Sequence, residues 1–368
     1  MTRGYSLYGA EVSYFTGKVR AYLRYKRIPF AEYVADRKAY MDVILPRVGW
    51  PVIPVVITPE DETLQDSSDI IDELERRFPE APVMPSMPRQ RLAALMLEVY
   101  GDEWLKIPAM HYRWTKNRDW AIGEFGALTL PAASKDEQRA AGEVIARPFA
   151  GALPALGITP ANGHAIEKSY EGLLHDLNVH FGKYEFLLGS RPSIGDFGLI
   201  GPLYAHQYRD PASGEIMKAQ APHVVRWVKN MMRPPHPKGG EFLAGDEIPE
   251  TLKPVLARFA HEMIPVLVST ARRLREWQAE NPQGRDGAGE MPRALGMHDF
   301  SLEGVTEKRA IFPFELWMLQ RPLDALASFE GQGLKSAEAL LHDIGADTLA
   351  AFPAFPRLTR RHFKLVFA

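Results

Sequence analysis

The chain has 368 residues, 44 basic against 46 acidic side chains, 46% apolar and 10% aromatic residues, and no cysteine. At ~150 residues per domain, this length predicts two or three domains with real cores, and the composition excludes intrinsic disorder. A net charge of −2 leaves no global basic field for nucleic acid or an anionic membrane, and the missing cysteine excludes disulfides, Cys-ligated metal centres and any thiolate nucleophile of the chain's own.

Residues 1–82 alternate strand and helix signals. Tyr5 to Tyr8 reads as a short strand. From Phe15 to Lys26 the spacing turns helical, with Phe15, Val19, Tyr22 and Leu23 on one face, and Ile28-Pro29 stops it. Phe30 to Val34 is a second strand and Arg37 to Leu45 a short helix. Val52 to Thr58 and Thr63 to Gln65 flank a Pro-Glu-Asp-Glu turn and make a hairpin; a helix from Ser67 to Phe78 then buries Ile70, Ile71, Leu74 and Phe78. The order βαβ, helix, ββα predicts a small mixed sheet with helices against it.

Pro79 to Pro88 reads as a linker. Residues 88–234 then carry long helical patterns over Gln90 to Trp114, Lys135 to Ile145, Ile166 to Leu188, Ile194 to His206 and Ala221 to Met232, an all-α second domain in which Pro108 kinks or splits the first helix. Another break follows at Arg233. Residues 240–368 form a mostly helical C-terminal extension. It holds an amphipathic helix from Leu252 to Trp277 bent at Pro265, a polar stretch from Asn281 to Gly289, a hairpin around Glu303-Gly304, and helices over Glu315 to Phe329 and Ser336 to Ile344. The basic run Arg357 to Lys364 reads as a solvated surface. No signal-peptide pattern and no membrane-spanning apolar run is present, so a cytoplasmic protein is expected, with no membrane and no nucleic acid among its partners.

Three segments carry chemistry. Ser13-Tyr14-Phe15-Thr16-Gly17-Lys18-Val19-Arg20 joins the first strand to the first helix. Val52-Ile53-Pro54-Val55-Val56 is followed one turn later by Leu64-Gln65-Asp66-Ser67-Ser68-Asp69-Ile70-Ile71. Phe186-Leu187-Leu188-Gly189-Ser190-Arg191-Pro192-Ser193-Ile194-Gly195-Asp196-Phe197 lies in the helical region. Read by themselves, Ser13 and Asp66 are helix caps, and Ser193 with Asp196 is a capping box that starts a buried helix.

Together, in this order, they resemble the cytosolic glutathione S-transferase superfamily over roughly residues 4 to 234. The resemblance implies a thioredoxin-like glutathione-binding domain, a helical second domain, and an enzyme that adds the glutathione thiolate to a small hydrophobic electrophile, with a homodimer as a further expectation. A non-catalytic ligand-binding or interaction scaffold on the same fold is the alternative. Glutathione is the co-substrate and no metal is expected.

Ser13 stands where serine-type members hydrogen-bond the glutathione sulfur. Tyr14 is a rival hydroxyl donor and Tyr8 a weaker one. A free thiol with pKa ~8.5 is about 3% thiolate at pH 7, and lowering it by roughly two units needs about 2.7 kcal/mol. One charge-assisted hydrogen bond plus a helix N-terminus supplies that magnitude. Ile53-Pro54 matches the family's cis-proline step, with Pro51 as the competing assignment. Asp66 and Ser67 match the pair that binds the γ-glutamyl end. Arg37, Lys38 and Arg47 are candidates for the glycine carboxylate. Tyr100, Trp104, Met110 and Trp114, with Tyr112, are candidates for an apolar second-substrate pocket, the other reading of each being burial in the core.

Overall fold

The computed structural model describes residues 4–234, 239–281 and 290–368. The stretches 235–238 and 282–289, which include part of the break after Arg233 and most of the polar stretch, lie outside the described residues.

The first strand, β1 (Tyr5–Gly9), leads into α1 (Tyr14–Tyr25), which returns to β2 (Phe30–Val34) parallel to β1, Tyr5 opposite Phe30. The hairpin β3 (Val55–Ile57) and β4 (Thr63–Gln65) adds to the other side, giving the order β2-β1-β3-β4 with Tyr8 opposite Val55. Only β1 and β2 are parallel, as a helical crossover requires. Helix α2 (Ser67–Arg77) carries Asp69 in its first turn and Arg76 and Arg77 in its last, charges that suit the helix dipole, and it buries Ile70, Ile71 and Leu74. This is the thioredoxin-like domain expected from the sequence.

The helical region begins with α3 (Pro88–Val99). The expected helix through Trp114 is broken. A wide turn at Tyr100–Trp104 follows α3, and a new helix starts at Lys106. Pro108 has no N–H to give to the carbonyl four residues back, so regular bonding fails just before it. The helix Arg118–Thr129 was not anticipated, and its partner Lys135–Gly151 runs past the predicted end. Helix α4 (Ile194–Pro202) starts where Asp196 accepts hydrogen bonds from the Ser193 N–H (2.8 Å) and hydroxyl (2.9 Å). It crosses α3 closely, since a Cβ on Gly198 would lie 2.6 Å from the Cα of Glu98.

In the extension, Lys253–Arg258 and α5 (Ile264–Glu280) replace the single predicted helix, with the break just ahead of Pro265. Strands β5 (Met297–Leu302) and β6 (Val305–Ala310) form the expected hairpin, with Glu303 (φ 49°) and Gly304 (φ 79°) in the left-handed conformation that a tight turn demands. After α6 (Pro313–Ala327) and the helix Gly331–Asp343, the chain ends in a second hairpin, β7 (Leu358–Arg361) and β8 (Lys364–Phe367). The basic run expected on a solvated surface is therefore half of a paired sheet. One apolar core runs from Tyr5 through Trp104 and Phe259 to Phe367, so the extension shares its interior with both domains.

Candidate active site

A cavity of about 510 Å³ opens where these three parts meet, within the usual range for small-molecule sites. The thioredoxin-like domain contributes Phe15, Trp50, Val52, Ile53, Pro54, Gln65, Asp66 and Ser67; the helical domain contributes Glu103 and Lys106. The rest of the wall is extension: Glu290 to Arg293, Phe312 to Phe314, Arg360, and Phe363 to Leu365, with Glu290 paired to Lys364 at 2.7 Å.

On the thioredoxin-like side, element ends place the polar groups. The Ile53-Pro54 peptide is cis, and Ile53 makes no backbone hydrogen bond among the described residues. Asp66 caps α2 at φ 79° and accepts the Ser68 N–H at 2.9 Å. That leaves the N–H and hydroxyl of Ser67 without protein partners among the described residues, at the N-terminus of a helix, where an anion is favoured. Behind this turn lies a buried ionic cluster. Lys18 Nζ donates to Ser68 Oγ (2.9 Å), Glu98 Oε1 (2.8 Å) and Asp102 Oδ2 (2.6 Å). Burial raises the Asp102 carboxyl, with the neighbouring Glu98 charge adding to the rise and Lys18 opposing it. Burial also raises Glu103, which Lys106 partly offsets from 2.6 Å.

Four sequence candidates, Ile53, Pro54, Asp66 and Ser67, meet on one wall. Ser13 caps α1, its Oγ accepting the Thr16 N–H at 3.3 Å, and is half-buried, but the cavity is lined by Phe15 and not by Ser13. Tyr14 turns away altogether: its hydroxyl donates to the Gly101 carbonyl inside the domain interface, and burial holds it well above the usual tyrosine range. Tyr8 stacks on Tyr33 with centroids 5.1 Å apart.

The second-substrate candidates are also displaced from the cavity. Tyr100 and Trp104 are buried and both donate to Glu262 of the extension, at 2.9 and 2.7 Å. Trp114 stacks on Phe125 and Phe149 in a separate cluster, against which Met110 packs, and Tyr112 is buried beside Tyr170. In each case a large apolar or aromatic side chain packs into or against core, which amphipathic spacing alone does not distinguish from a pocket. Arg37 and Lys38 are exposed outside the cavity, Lys38 paired with Asp42, and Arg47 holds Asp61 at 2.7 Å. The cations that do line it, Lys106, Arg293, Arg360 and Lys364, were not singled out because three of them lie more than two hundred residues away in sequence.

Arg113 is another residue without a sequence signal. Buried against Asp210 (2.7 and 2.9 Å), it donates to the Val12 carbonyl at 2.8 Å and so fixes the loop that leads to Ser13.

The family comparison fits this geometry. The chain matches the glutathione S-transferase N-terminal domain over residues 7–82 and the glutathione S-transferase C-terminal domain over residues 159–235. The chain belongs to the glutathione S-transferase superfamily. Membership supports a glutathione-related, transferase-type function at the level of the family. No curated protein matches the chain.

Among solved structures it is similar to the Tau class glutathione S-transferase of mango, Mangifera indica (19% identity, 71% of this chain and 98% of that one, TM-score 0.42). It is also similar to a glutathione S-transferase of Methylobacterium radiotolerans in complex with glutathione sulfonate (19%, 63% and 91%, 0.41) and to the beta-etherase LigF of Sphingobium sp. strain SYK-6 (16%, 64% and 96%, 0.47). Among the described residues no group of three or more His, Asp or Glu side chains is arranged to hold a metal ion, and no helix is long and apolar enough to cross a membrane.

Proposed function

We propose that this protein is a glutathione-dependent transferase that joins the glutathione thiolate to a small, flat, apolar electrophile. The observation that carries this reading is the meeting of Ile53-Pro54, Asp66 and the N–H and hydroxyl of Ser67, which have no protein partner among the described residues, on one wall of the cavity. Ser67 at the start of α2 binds the α-carboxylate of the γ-glutamyl end, Asp66 faces its ammonium group, and the Ile53 backbone pairs with the extended peptide. Ser13 donates its hydroxyl hydrogen to the sulfur and holds it as thiolate; serine does not ionise near neutral pH, so it is a donor and not a base. The thiolate attacks the electrophile. A carbon–sulfur bond forms and the leaving group departs with its electron pair, with no covalent enzyme intermediate. Phe15, Trp50, Phe312, Phe314 and Phe363 give the electrophile an aromatic surround.

Titrating the protein with glutathione and recording thiolate absorbance tests the reading. Binding with a rise in thiolate is expected. Ser13→Ala should lower turnover by about a hundredfold, the counterpart of ~2.7 kcal/mol, and leave glutathione binding nearly intact. An unchanged rate overturns the role of Ser13. Because Ser13 does not line the cavity, a second reading has one observation in its favour: a module that binds glutathione without activating it. Uptake without a thiolate signal in the titration would decide for that module.

A further inference from the structure

The turn that presents Asp66 and Ser67 to the cavity is gripped from two sides by arginines of the extension. On one side is Arg360 of β7, whose side chain is only 8% exposed. Its Nη1 donates to the Gln65 carbonyl (2.8 Å) and to the Asp69 carboxylate; its Nη2 donates to the Gln65 side-chain Oε1 and to the Phe363 carbonyl (3.3 Å). The Trp317 ring lies 5.5 Å from the guanidinium and supports its far face. On the other side, Arg321 of α6 donates to Glu98 Oε2 at 3.0 Å, while Glu98 Oε1 accepts from Ser68 Oγ at 2.8 Å. Between the two grips Asp66 sits at φ 79°, a conformation that a non-glycine residue keeps only when its surroundings hold it.

Resting on the glutathione reading above, we propose that Arg360 is a positioning residue for glutathione, and that the C-terminal extension is thereby a working part of the glutathione site. Both Nη atoms of Arg360 are committed to protein acceptors, so it acts through the turn. It fixes the Gln65 backbone on one side of Asp66-Ser67 and the Asp69 side chain on the other, so the N–H, hydroxyl and carboxylate that meet the γ-glutamyl end need no rearrangement on binding. A planar fork suits this task, since it spans a carbonyl, an amide oxygen and a carboxylate at once, whereas an ammonium group meets them as a point charge. Because Arg360 acts on the γ-glutamyl wall and not on the sulfur, its loss falls on glutathione affinity and leaves the turnover of the bound complex.

The test uses the full-length chain and two readouts: calorimetric titration with glutathione, and amide hydrogen exchange over residues 65–70 measured without ligand. Arg360→Ala is expected to weaken glutathione binding by about tenfold or more, to leave kcat at saturating glutathione within about twofold, and to speed exchange in the turn. Arg360→Lys should restore part of the affinity. Arg357→Ala removes a positive charge from the same segment, at an exposed pair with Asp324, and should match the parent. If Arg360→Ala fails to fold, Arg360→Lys and Asp69→Asn carry the same comparison. Affinity within about twofold of the parent, or a fall in kcat at unchanged affinity, overturns the proposal. A parent chain that takes up no glutathione overturns the glutathione reading and the ligand named here. The exchange measurement needs no ligand, and unchanged exchange on its own overturns the clamp.

Discussion

The thioredoxin-like wall of the cavity offers backbone groups and short polar side chains at the ends of β4 and α2, beside the rings of Phe15 and Trp50, whereas the wall built by the extension offers no such cap and consists of further rings, apolar side chains and long charged side chains from three separate segments. The first is set by local geometry: a cap, a turn and a helix N-terminus within a few residues of one another. The second is assembled by long-range stitching. The Met291 N–H bonds the Leu365 carbonyl, and the Gln320 side chain both donates to and accepts from the backbone of Leu358. A local wall can be precise with small residues. A distant wall needs long side chains and large rings to reach across and exclude water. The two are tied by buried charge, and the ways to break that tie order themselves by size.

Lys18 is the largest. It and Glu98 are fully buried, Asp102 is 2% exposed, and Arg321 of the extension closes the chain of charges on Glu98. Lys18→Met leaves two carboxylates buried without their shared cation, which should lower the unfolding free energy in urea by about 3–5 kcal/mol. A loss under about 1 kcal/mol would show that the cluster does not join the walls.

His180 marks the second attachment of the extension. Its Nδ1 lies 3.0 Å from Thr251 Oγ1 and its Nε2 3.3 Å from the Phe186 carbonyl, and burial pushes its pKa down to about 4. The unfolded chain then takes up the proton more readily than the folded one. The stabilisation is complete above the ordinary value near 6.5 and is lost as pH falls toward 4, amounting to about 3 kcal/mol. His180→Gln should remove this share of the acid sensitivity, so the difference in stability between parent and variant should shrink by that amount from pH 7 to pH 4. Parallel pH curves would refute the assignment.

Ser67→Ala probes recognition in place of attachment. It should weaken glutathione binding by about tenfold, near 1.4 kcal/mol, whereas Phe314→Ala should leave glutathione affinity unchanged and raise the KM for the electrophile. If both variants act on glutathione equally, the division of labour between the walls fails.

That division also explains what the sequence made legible. Ile53-Pro54, the Asp66-Ser67 cap, the Ser193–Asp196 box and the Glu303-Gly304 turn all announce themselves within four residues, because caps and turns are local chemistry. Arg360 reads as one charge in a basic run, since its partners Gln65 and Asp69 lie at the other end of the chain and only the fold joins them. Tyr14 reads as a rival hydroxyl donor beside Ser13, and Tyr100 and Trp104 read as pocket residues on a long helix. What sent them inward was a carbonyl on Gly101 and a carboxylate on Glu262, partners that periodicity does not reveal. The helix Arg118–Thr129 escaped notice because its apolar residues do not gather on one face.

The smallest effect tests the mouth of the cavity. Arg293 of the extension is exposed and lies 5.2 Å over the ring of Trp50 of the thioredoxin-like domain, so this contact joins the two walls at an exposed edge of the cavity. An exposed cation–π contact is worth about 0.5–1 kcal/mol, too little to hold the walls together. It is enough to shift the balance between an open and a closed mouth by a few-fold, since RT is about 0.6 kcal/mol. Arg293→Gln should therefore leave the urea midpoint almost unchanged and speed glutathione release two- to fivefold in stopped-flow tryptophan fluorescence. A large loss of stability would mean that the mouth, and not the Lys18 cluster, carries the attachment. No change in release would mean that the mouth does not limit exit.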